Sequence, residues 1–222
     1  EIKRFLFLYK QTIIPSVISS GLYIIVFGTA MGSRIGDIKG ASYEHYIIPG
    51  LIMMTVINTA YQNSSSSIMQ AKFLRFIEDI LITPLSGLEI SLSYIIGGSV
   101  RGMLNGILVL ILAYFLTGLH IENWLLTLVY LSTVAWAFAG AGVIVGIYGK
   151  SWDSIMVLTN FFLMPLTFLG GVFYSIEMLP DFWRNISMVN PLYWMINGLR
   201  FATLGIADTS HELSLGISIL CA

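Results

Sequence analysis

Long apolar runs constrain the fold of this chain more than any other feature. A helix needs about 20 mostly apolar residues to cross the hydrocarbon core of a bilayer. Runs of this kind lie at residues 12–31, 45–65, 89–116, 124–148 and 155–174, and another begins near Glu212. They are apolar on every side, whereas the strands of a membrane barrel would alternate over about ten residues. The runs therefore predict an all-α, polytopic membrane protein of one domain with six transmembrane helices, the sixth truncated.

The composition points to lipid as the solvent. The chain is 56% hydrophobic and 10% charged, with a mean hydropathy of +0.83, whereas soluble domains are about 25% charged. Its net charge of -1 leaves no basic face for nucleic acid, which we exclude as a partner. Cys221 is the only cysteine, so the chain contains no internal disulfide. Because it begins without Met and ends in an apolar run, we expect it to be a fragment.

Basic residues near the ends of the spans predict the orientation in the membrane. Cytoplasmic loops carry an excess of Lys and Arg. One side of the membrane would hold six of them, namely Lys3, Arg4, Lys10, Lys72, Arg75 and Lys150. The other side mixes basic with acidic residues. This bias places the N-terminus and residues 71–87 in the cytoplasm. Residues 1–11 mix charge with Phe and Leu, which predicts a helix lying in the interface.

The stretch "AKFLRFIEDILITPLSG" (residues 71–87) places charges between two apolar runs. Its apolar residues recur at helical spacing, at Phe73, Phe76, Ile77, Ile80 and Leu81, and predict one amphipathic helix over residues 71–83. Pro84 ends it, because proline disfavours helical geometry in the preceding residue. The helix either lies in the headgroups or protrudes to dock a soluble partner. Leu74, which falls off the apolar face, favours docking.

A polar pair interrupts the third run. Arg101 lies near its middle, where a charge costs upwards of about 2.5–3.5 kcal/mol, and Asn105 follows one turn later. Gly98, Gly102 and Gly106 form a ridge of small residues that allows close helix contact. Two interpretations stay open for Arg101. It lines a substrate path or gate, or it is a buried arginine held by carbonyls or by an acid from another helix.

No motif indicates chemistry in this chain. "GIYGKS" at residues 146–151 is similar to the end of a phosphate-binding P-loop, but Ile144 stands where that pattern requires a glycine. His45, His120 and His211 are scattered without ligand spacing, so we expect no metal, and we find no catalytic constellation. We expect a chain that is not an enzyme. Any ATP that it uses must be held by another chain.

The segment after the fifth run is too broken to cross a bilayer. Pro180 and Pro191 predict the starts of two short helices. Trp183 and Trp194 suit the boundary between membrane and water. Irregular backbone survives at membrane depth only against protein or a wet cavity. We therefore predict an outer re-entrant region at residues 175–205 and consider it a candidate outer gate.

The same segment carries a resemblance to a known family. "LGGVFYSIEMLPDFWRNISMVNPLYWMINGLRFATLG" resembles the C-terminal signature of the ABC-2 family of bacterial transporter membrane subunits. "YIIPGLIMM" at residues 46–54 is similar to the start of that family's second span. The resemblance extends over essentially the whole chain. Within the signature, the residues we assign to the outer gate are Phe173, Tyr174, Pro180, Asn190, Pro191, Tyr193 and Arg200.

The resemblance implies a permease of the bacterial cytoplasmic membrane. Two membrane subunits, either two copies or two related chains, would work with two ATP-binding cassette subunits that hold ATP and Mg. Residues 71–83 would be the coupling helix. Its contacts with the cassette would be Lys72, Phe73, Leu74, Arg75, Phe76, Ile77, Glu78, Asp79 and Leu81.

The substrate implied is an amphiphilic small molecule, a drug or a lipid-linked compound, moved outward. The alternative within the family is export of a polysaccharide or O-antigen. A transporter independent of ATP should show two related halves with broken helices, and no internal repeat is visible. An integral membrane enzyme would need convergent acids, histidines or metal ligands near one interface.

Overall fold

The computed structural model describes residues 13–222, so the interfacial helix expected at residues 1–11 lies outside it. The helices are α1 (Ile14–Ile35), α2 (Tyr43–Phe73), α3 (Ile77–Ile82), α4 (Gly87–Thr117), α5 (Trp124–Tyr148), α6 (Trp152–Leu158), α7 (Met164–Leu169), α8 (Asp181–Val189), α9 (Pro191–Leu204) and α10 (His211–Leu220). A π-helical segment, Thr159–Leu163, joins α6 to α7, and a 3₁₀ turn, Ile176–Met178, precedes α8. Strands β1 (Asp37–Ile38) and β2 (Ala41–Ser42) form an antiparallel hairpin.

Four helical segments in the described part of the chain are long and apolar enough to cross a membrane. They are Ile14–Gly32, Gly87–Thr117, Trp124–Tyr148 and Trp152–Leu169. They correspond to the predicted first, third, fourth and fifth spans, and the all-α, polytopic membrane class is confirmed. The expected count of six spans, the sixth truncated, is not confirmed by these residues: four meet the criterion, and α10, at the position of the sixth, has ten residues.

The predicted second span lies within α2, which is the most enclosed of the long helices. It is not among the four apolar spans because polar residues interrupt it, among them Thr55, Asn58, Gln62 and Asn63. Most of its side chains are buried against neighbouring helices. A helix shielded by protein can carry polar groups that a lipid-facing helix cannot, so its polar residues indicate a central position.

Glycines bring α4 and α5 against α2. A Cβ added at Gly102 would lie 2.9 Å from the Ala60 Cβ, and one added at Gly106 would lie 2.6 Å from the Val56 Cγ2. On α5, a Cβ at Gly146 would lie 2.9 Å from the Ile68 Cβ. Such distances leave no space for a larger side chain. The ridge of small residues expected on the third run is therefore a packing surface for α2.

Successive long helices run in opposite directions and give the molecule two ends. At one end the His45 Nε2 lies 3.1 Å from the Thr117 carbonyl oxygen, which joins the start of α2 to the end of α4. We call this the hairpin end, because β1 and β2 lead into α2 there. At the other end, which we call the α3 end, α2 and α5 terminate and α4 begins.

Local sequence explains where α4 and α5 begin. Ser86 and Glu89 form a reciprocal capping box at the start of α4. Asn123 starts α5 by accepting a hydrogen bond on its side chain from the Leu126 N–H at 3.0 Å. Gly118, with a φ of 68°, ends α4 in the left-handed conformation that glycine adopts without strain.

The predicted fifth span ends earlier than expected. Residues 155–174 were predicted to be one span, whereas helix extends from Trp152 to Leu169 and a turn follows. Gly171, with a φ of 78°, lies in that turn. Within the span, the π-helical segment Thr159–Leu163 comes just before Pro165. Proline has no N–H to continue the usual hydrogen-bond ladder, so this span is irregular near its middle.

The short hairpin was not anticipated from the sequence. Lys39 and Gly40 form its turn with φ values of 52° and 86°, and Asp37 pairs with Ser42. Two successive positive φ values characterise the type I′ turn, which suits the twist of the strands that it joins. The hairpin holds the link between α1 and α2 close to the protein and fixes the position of Lys39.

Candidate functional site

The segment predicted to be one amphipathic helix over residues 71–83 is two helices with a break. α2 continues to Phe73, and α3 begins at Ile77. Between them Arg75 has a φ of 62°, a left-handed conformation that interrupts helical spacing. Phe73 and Ile77 therefore do not share a helix face. The end of the segment is as expected: Thr83 is extended, just before Pro84.

The segment exposes apolar side chains. Phe73 is 74% exposed, Leu81 66% and Ile82 82%, and α3 has no buried residue. Leu74 is more than half exposed, as its position off the apolar face predicts. Phe76 and Ile77 are partly buried, while Arg75, Glu78 and Asp79 are exposed. Large apolar side chains exposed together with charged neighbours mark a surface that contacts a partner or lipid.

A groove of about 290 Å³ runs beneath this surface. Its walls are almost wholly apolar and come from the end of α2, from α3, and from the facing sides of α4 and α5. The lining includes Ile68, Ile77, Leu81, Ile90, Tyr94, Val143 and Ile147. α3 thus rests over a gap between the long helices, and few contacts hold it in place.

Lys72 has a different position from the one expected. Its ammonium donates to the carbonyl oxygen of Ile147 and, at 3.3 Å, to that of Gly149. These carbonyls lie at the C-terminal end of α5, where helix carbonyls lack partners and the helix dipole favours a cation. Lys72 therefore fastens the end of α2 to the end of α5. It does not lie with the exposed residues of the segment.

Arg101 and Asn105 each meet a second helix. The Arg101 Nη1 donates to the Asn63 Oδ1 at 2.7 Å, which ties α4 to α2. Asn105 is fully buried. Its Oδ1 accepts from the Ser16 hydroxyl on α1, and its Nδ2 donates to the Arg101 carbonyl at 3.0 Å. The side-chain carbonyl of Asn63, from another helix, thus holds Arg101, and the helical spacing did not point to Asn63 or Ser16.

Arg200 anchors α9 to two other parts of the hairpin end. It is 1% exposed. Its Nη2 donates to the Gly171 carbonyl at 2.7 Å, and its Nε donates to the Tyr46 carbonyl at 3.4 Å. One side chain thus joins α9, the turn after α7 and the first turn of α2. This buried cation belongs to the packing of the predicted gate and does not line an open passage.

The other residues predicted for the outer gate are distributed around this anchor. Phe173 stacks near Phe27 of α1, with ring centroids 4.8 Å apart. The Asn190 Oδ1 caps α9 by accepting from the Leu192 N–H at 3.1 Å, and Pro191 is the first residue of α9, as predicted.

The remaining three differ in environment. The Tyr193 hydroxyl lies 3.0 Å from the Thr209 hydroxyl, and Tyr193 is buried. Pro180 is exposed and directly precedes α8, and Tyr174 is partly buried. Arg200 and Tyr193 are therefore buried at the hairpin end, whereas Pro180 lies at the surface.

Asp208 is the centre of a buried polar network at the hairpin end, and sequence reasoning missed this residue. Its side chain is 1% exposed and accepts from the Ser175 hydroxyl at 2.9 Å and from the Tyr46 hydroxyl at 3.3 Å. The Lys39 Nζ lies 3.0 Å from the Asp208 Oδ1 and forms an ion pair with it. The signal present was Gly40, since glycine marks turns, and a turn there could have placed Lys39 at a hairpin tip.

No metal centre is formed by the described residues 13–222, where no group of three His, Cys, Asp or Glu side chains is close enough to hold an ion. The P-loop-like residues 146–151 span the end of α5. Gly146 packs against α2 there, so this glycine has a structural role.

The model of the ABC-2 type transporter family matches residues 1–204 of this chain. The chain belongs to the ABC-2 type transporter family. It is accordingly a multi-pass membrane protein of a transport family. The resemblance carried by the segment around Pro180 and Pro191 is confirmed.

Named relatives agree with this assignment. The chain is 43% identical to the inner membrane transport permease YadH of Escherichia coli K12, over 99% of this chain and 86% of that protein. It is 24% identical to nodulation protein J of Rhizobium leguminosarum bv. viciae, over 90% of this chain and 77% of the relative. It is 23% identical to nodulation protein J of Sinorhizobium fredii, over 96% and 82%. Similarity to these ABC-2 relatives thus extends across nearly all of the chain.

Proposed function

We propose that this chain is the membrane-spanning permease subunit of an ATP-binding cassette exporter in a bacterial inner membrane. A separate cassette subunit binds and hydrolyses ATP with Mg. The family assignment and the name of the inner membrane transport permease YadH support this proposal. Two membrane subunits, either two copies or two related chains, each with six spans and a re-entrant outer segment, enclose the path.

The observation that carries the proposal is the exposed apolar surface at the α3 end. Phe73, Leu81 and Ile82 stand out from the helices, close to the exposed acids Glu78 and Asp79. In this proposal the surface faces the cytoplasm, as the basic bias predicts. Isolated apolar anchors with charged neighbours suit docking into a groove of a soluble partner. The cassette subunit is that partner, and residues 71–83 are its contact.

The proposed mechanism is alternating access driven by the cassette. ATP binding draws the cassette subunits together and displaces α3, which moves α2 against the Trp152–Leu169 span. Because Lys72 joins α2 to the end of α5, α5 moves with it. A conduit between the two membrane subunits then opens outward. The nucleotide states drive this only to the extent that they contact the permease unequally. The substrate class we propose is a small amphiphile.

The test co-expresses the full chain with each cassette ATPase that the neighbouring reading frames encode and reconstitutes the product in vesicles. Phe73→Asp combined with Leu81→Asp places two charges on the docking surface. We expect the pair to abolish the permease-dependent part of the ATPase activity and to reduce co-purification of the cassette. The membrane-inserted fraction should not change, because both side chains are exposed.

The matched control is Phe73→Leu combined with Leu81→Met, which keeps the surface apolar. It should retain co-purification and coupled hydrolysis. Undiminished coupling in the Asp pair would contradict the assignment of residues 71–83 as the contact. Failure of the unmodified chain to co-purify with any P-loop ATPase would contradict the proposed function itself.

A further inference from the structure

The Lys39 ammonium at the tip of the hairpin joins segments that are far apart in sequence. Its Nζ donates to the Glu177 Oε1 at 3.0 Å and lies 3.0 Å from the Asp208 Oδ1. It also reaches the Ala207 carbonyl at 3.4 Å. One side chain therefore connects the link between α1 and α2 with two separate points that follow the fifth predicted span.

Those two points are the two ends of the outer helical segment. Glu177 lies in the 3₁₀ turn that leads into α8, and Asp208 lies shortly after α9 ends. The Ser175 hydroxyl and the Ile176 N–H also donate to Asp208, at 2.9 Å and 3.4 Å. The entry and exit of the α8–α9 segment thus meet at one carboxylate, and Lys39 closes this junction onto the hairpin.

Lys39 and Arg200 hold the segment in different ways. Arg200 is 1% exposed and is bound to backbone carbonyls inside the protein. The side chain of Lys39 is 27% exposed and that of Glu177 is 48% exposed. Ion pairs that water can reach contribute little stability, with a median near 0–1 kcal/mol. The pair with Glu177 can therefore open and close at small cost.

The Asp208 carboxylate is 1% exposed. The Tyr46 and Ser175 hydroxyls and the Ile176 N–H nevertheless still donate to it when the lysine leaves. Arg200 has no water-accessible contact of this kind and stays in place.

We propose that Lys39 is a positioning residue that acts as a releasable latch on the outer segment. In the described state it holds both ends of α8–α9 on the hairpin and shields the junction at Asp208. Release lets the segment move outward as a unit. The use of this release during export rests on the proposed function, whereas the latch itself does not.

The test measures how readily the junction opens. Ile176→Cys, at a site that is 1% exposed, is introduced with Cys221→Ser, and labelling by a membrane-impermeant maleimide is followed in spheroplasts. The N–H that contacts Asp208 is kept. We expect slow labelling in this parent. Lys39→Asn should accelerate it about tenfold, since two ion pairs are lost. Asparagine suits the positive φ at this site, so the turn should persist.

Further variants separate the latch from general loosening. Lys39→Arg keeps the charge and should label nearly as slowly as the parent. Glu177→Gln removes only the ion pair between Lys39 and Glu177 and should give an intermediate labelling rate. Lys150→Asn removes a lysine from the α3 end and should change nothing. Unchanged labelling in both Lys39→Asn and Glu177→Gln would overturn the latch, and equal acceleration by Lys39→Arg would do so as well.

A labelling experiment with added nucleotide tests the latch and the proposed function separately. A non-hydrolysable ATP analogue, added to the complex with the cassette in proteoliposomes, should raise parent labelling towards the Lys39→Asn rate. If an active ATPase complex shows no such rise, the release step in export is wrong while the proposed function stands. If no active complex forms, the proposed function is contradicted, and the comparison of Lys39→Asn with Lys39→Arg still decides the latch.

Discussion

The guanidinium carbon of Arg200 lies 3.9 Å from the centroid of the Tyr46 ring. Such a cation–π contact contributes about 2 kcal/mol when it is shielded from water, and Arg200 is almost fully buried. The same guanidinium donates to the Gly171 carbonyl. This pair fixes α9 against the start of α2, so the outer segment and the central helix share one anchor.

Removing this anchor should destabilise the protein. Arg200→Met keeps much of the side-chain volume but loses the cation–π contact and leaves the Gly171 carbonyl unsatisfied. We expect the free energy of unfolding to fall by about 2–4 kcal/mol, measured by thermal and denaturant unfolding of the purified chain in detergent. Arg34→Met is the control, because Arg34 is exposed. Equal losses in the two variants would show that burial of Arg200 does not matter.

Lys72→Met should loosen the junction between α2 and α5. The variant keeps the apolar stem and removes the ammonium that donates to the carbonyls of Ile147 and Gly149. We expect a loss of about 0.5–1.5 kcal/mol in the free energy of unfolding and faster hydrogen exchange at the end of α5. Lys150→Met, which removes an exposed lysine one residue past Gly149, should have no effect. Indistinguishable exchange in the two variants would contradict the capping role.

Gly102→Val should disrupt the packing of α4 on α2. A Cβ there already lies 2.9 Å from the Ala60 Cβ and 3.2 Å from the Val56 carbonyl oxygen. Overpacking of this kind costs about 1–3 kcal/mol. Gly140→Val is the matched control, because the nearest atom to its added Cβ is 4.0 Å away and both glycines are helical. Midpoints of unfolding in detergent should separate the two, and a larger loss at Gly140 would refute the ridge.

At alkaline pH the Lys39 contacts should weaken as the lysine loses its proton. Burial lowers the pKa of Lys39, but hydrogen bonds and charge from Glu177 and Asp208 outweigh it, so the pKa is raised above 10.5. A raised lysine pKa gives stability that is complete below the unfolded value and is lost as pH rises through the folded value. The difference in unfolding midpoint between the unmodified chain and Lys39→Asn should therefore stay constant from pH 8 to about 10 and shrink above about 10.5. A difference that persists unchanged at high pH would exclude the ammonium as its source.

Local signals predicted much of the fold. The run at 124–148 matches α5 at both ends, because a cap at Asn123 and a glycine at Gly149 bound an apolar helix. Pro180 and Pro191 correctly predicted where α8 and α9 begin, since proline is suited to helix starts. These features depend on residues within a few positions of each other, which is the range that a pattern in one sequence can report.

Features that depend on tertiary contact were beyond that range. Lys39 and Asp208 are remote in the chain, and no periodicity relates them. Lys72 has helical spacing consistent with an exposed face, but the end of α5 lies within its reach. The left-handed Arg75 breaks a helix that the apolar spacing predicted to be continuous. For Lys39 and Lys72, the partner that decides the position of the side chain belongs to another element.

From Leu51 to Phe73, α2 contains neither Gly nor Pro, so it is a stiff rod of about 1.5 Å per residue. Its far end meets Gly50, where an added Cβ would strike the Val172 backbone at 2.7 Å. A displacement of α2 at its Phe73 end would therefore also displace its Gly50 end, with no rearrangement of side chains in between. α2 is thus in direct contact with the turn after α7, which leads into the outer helices.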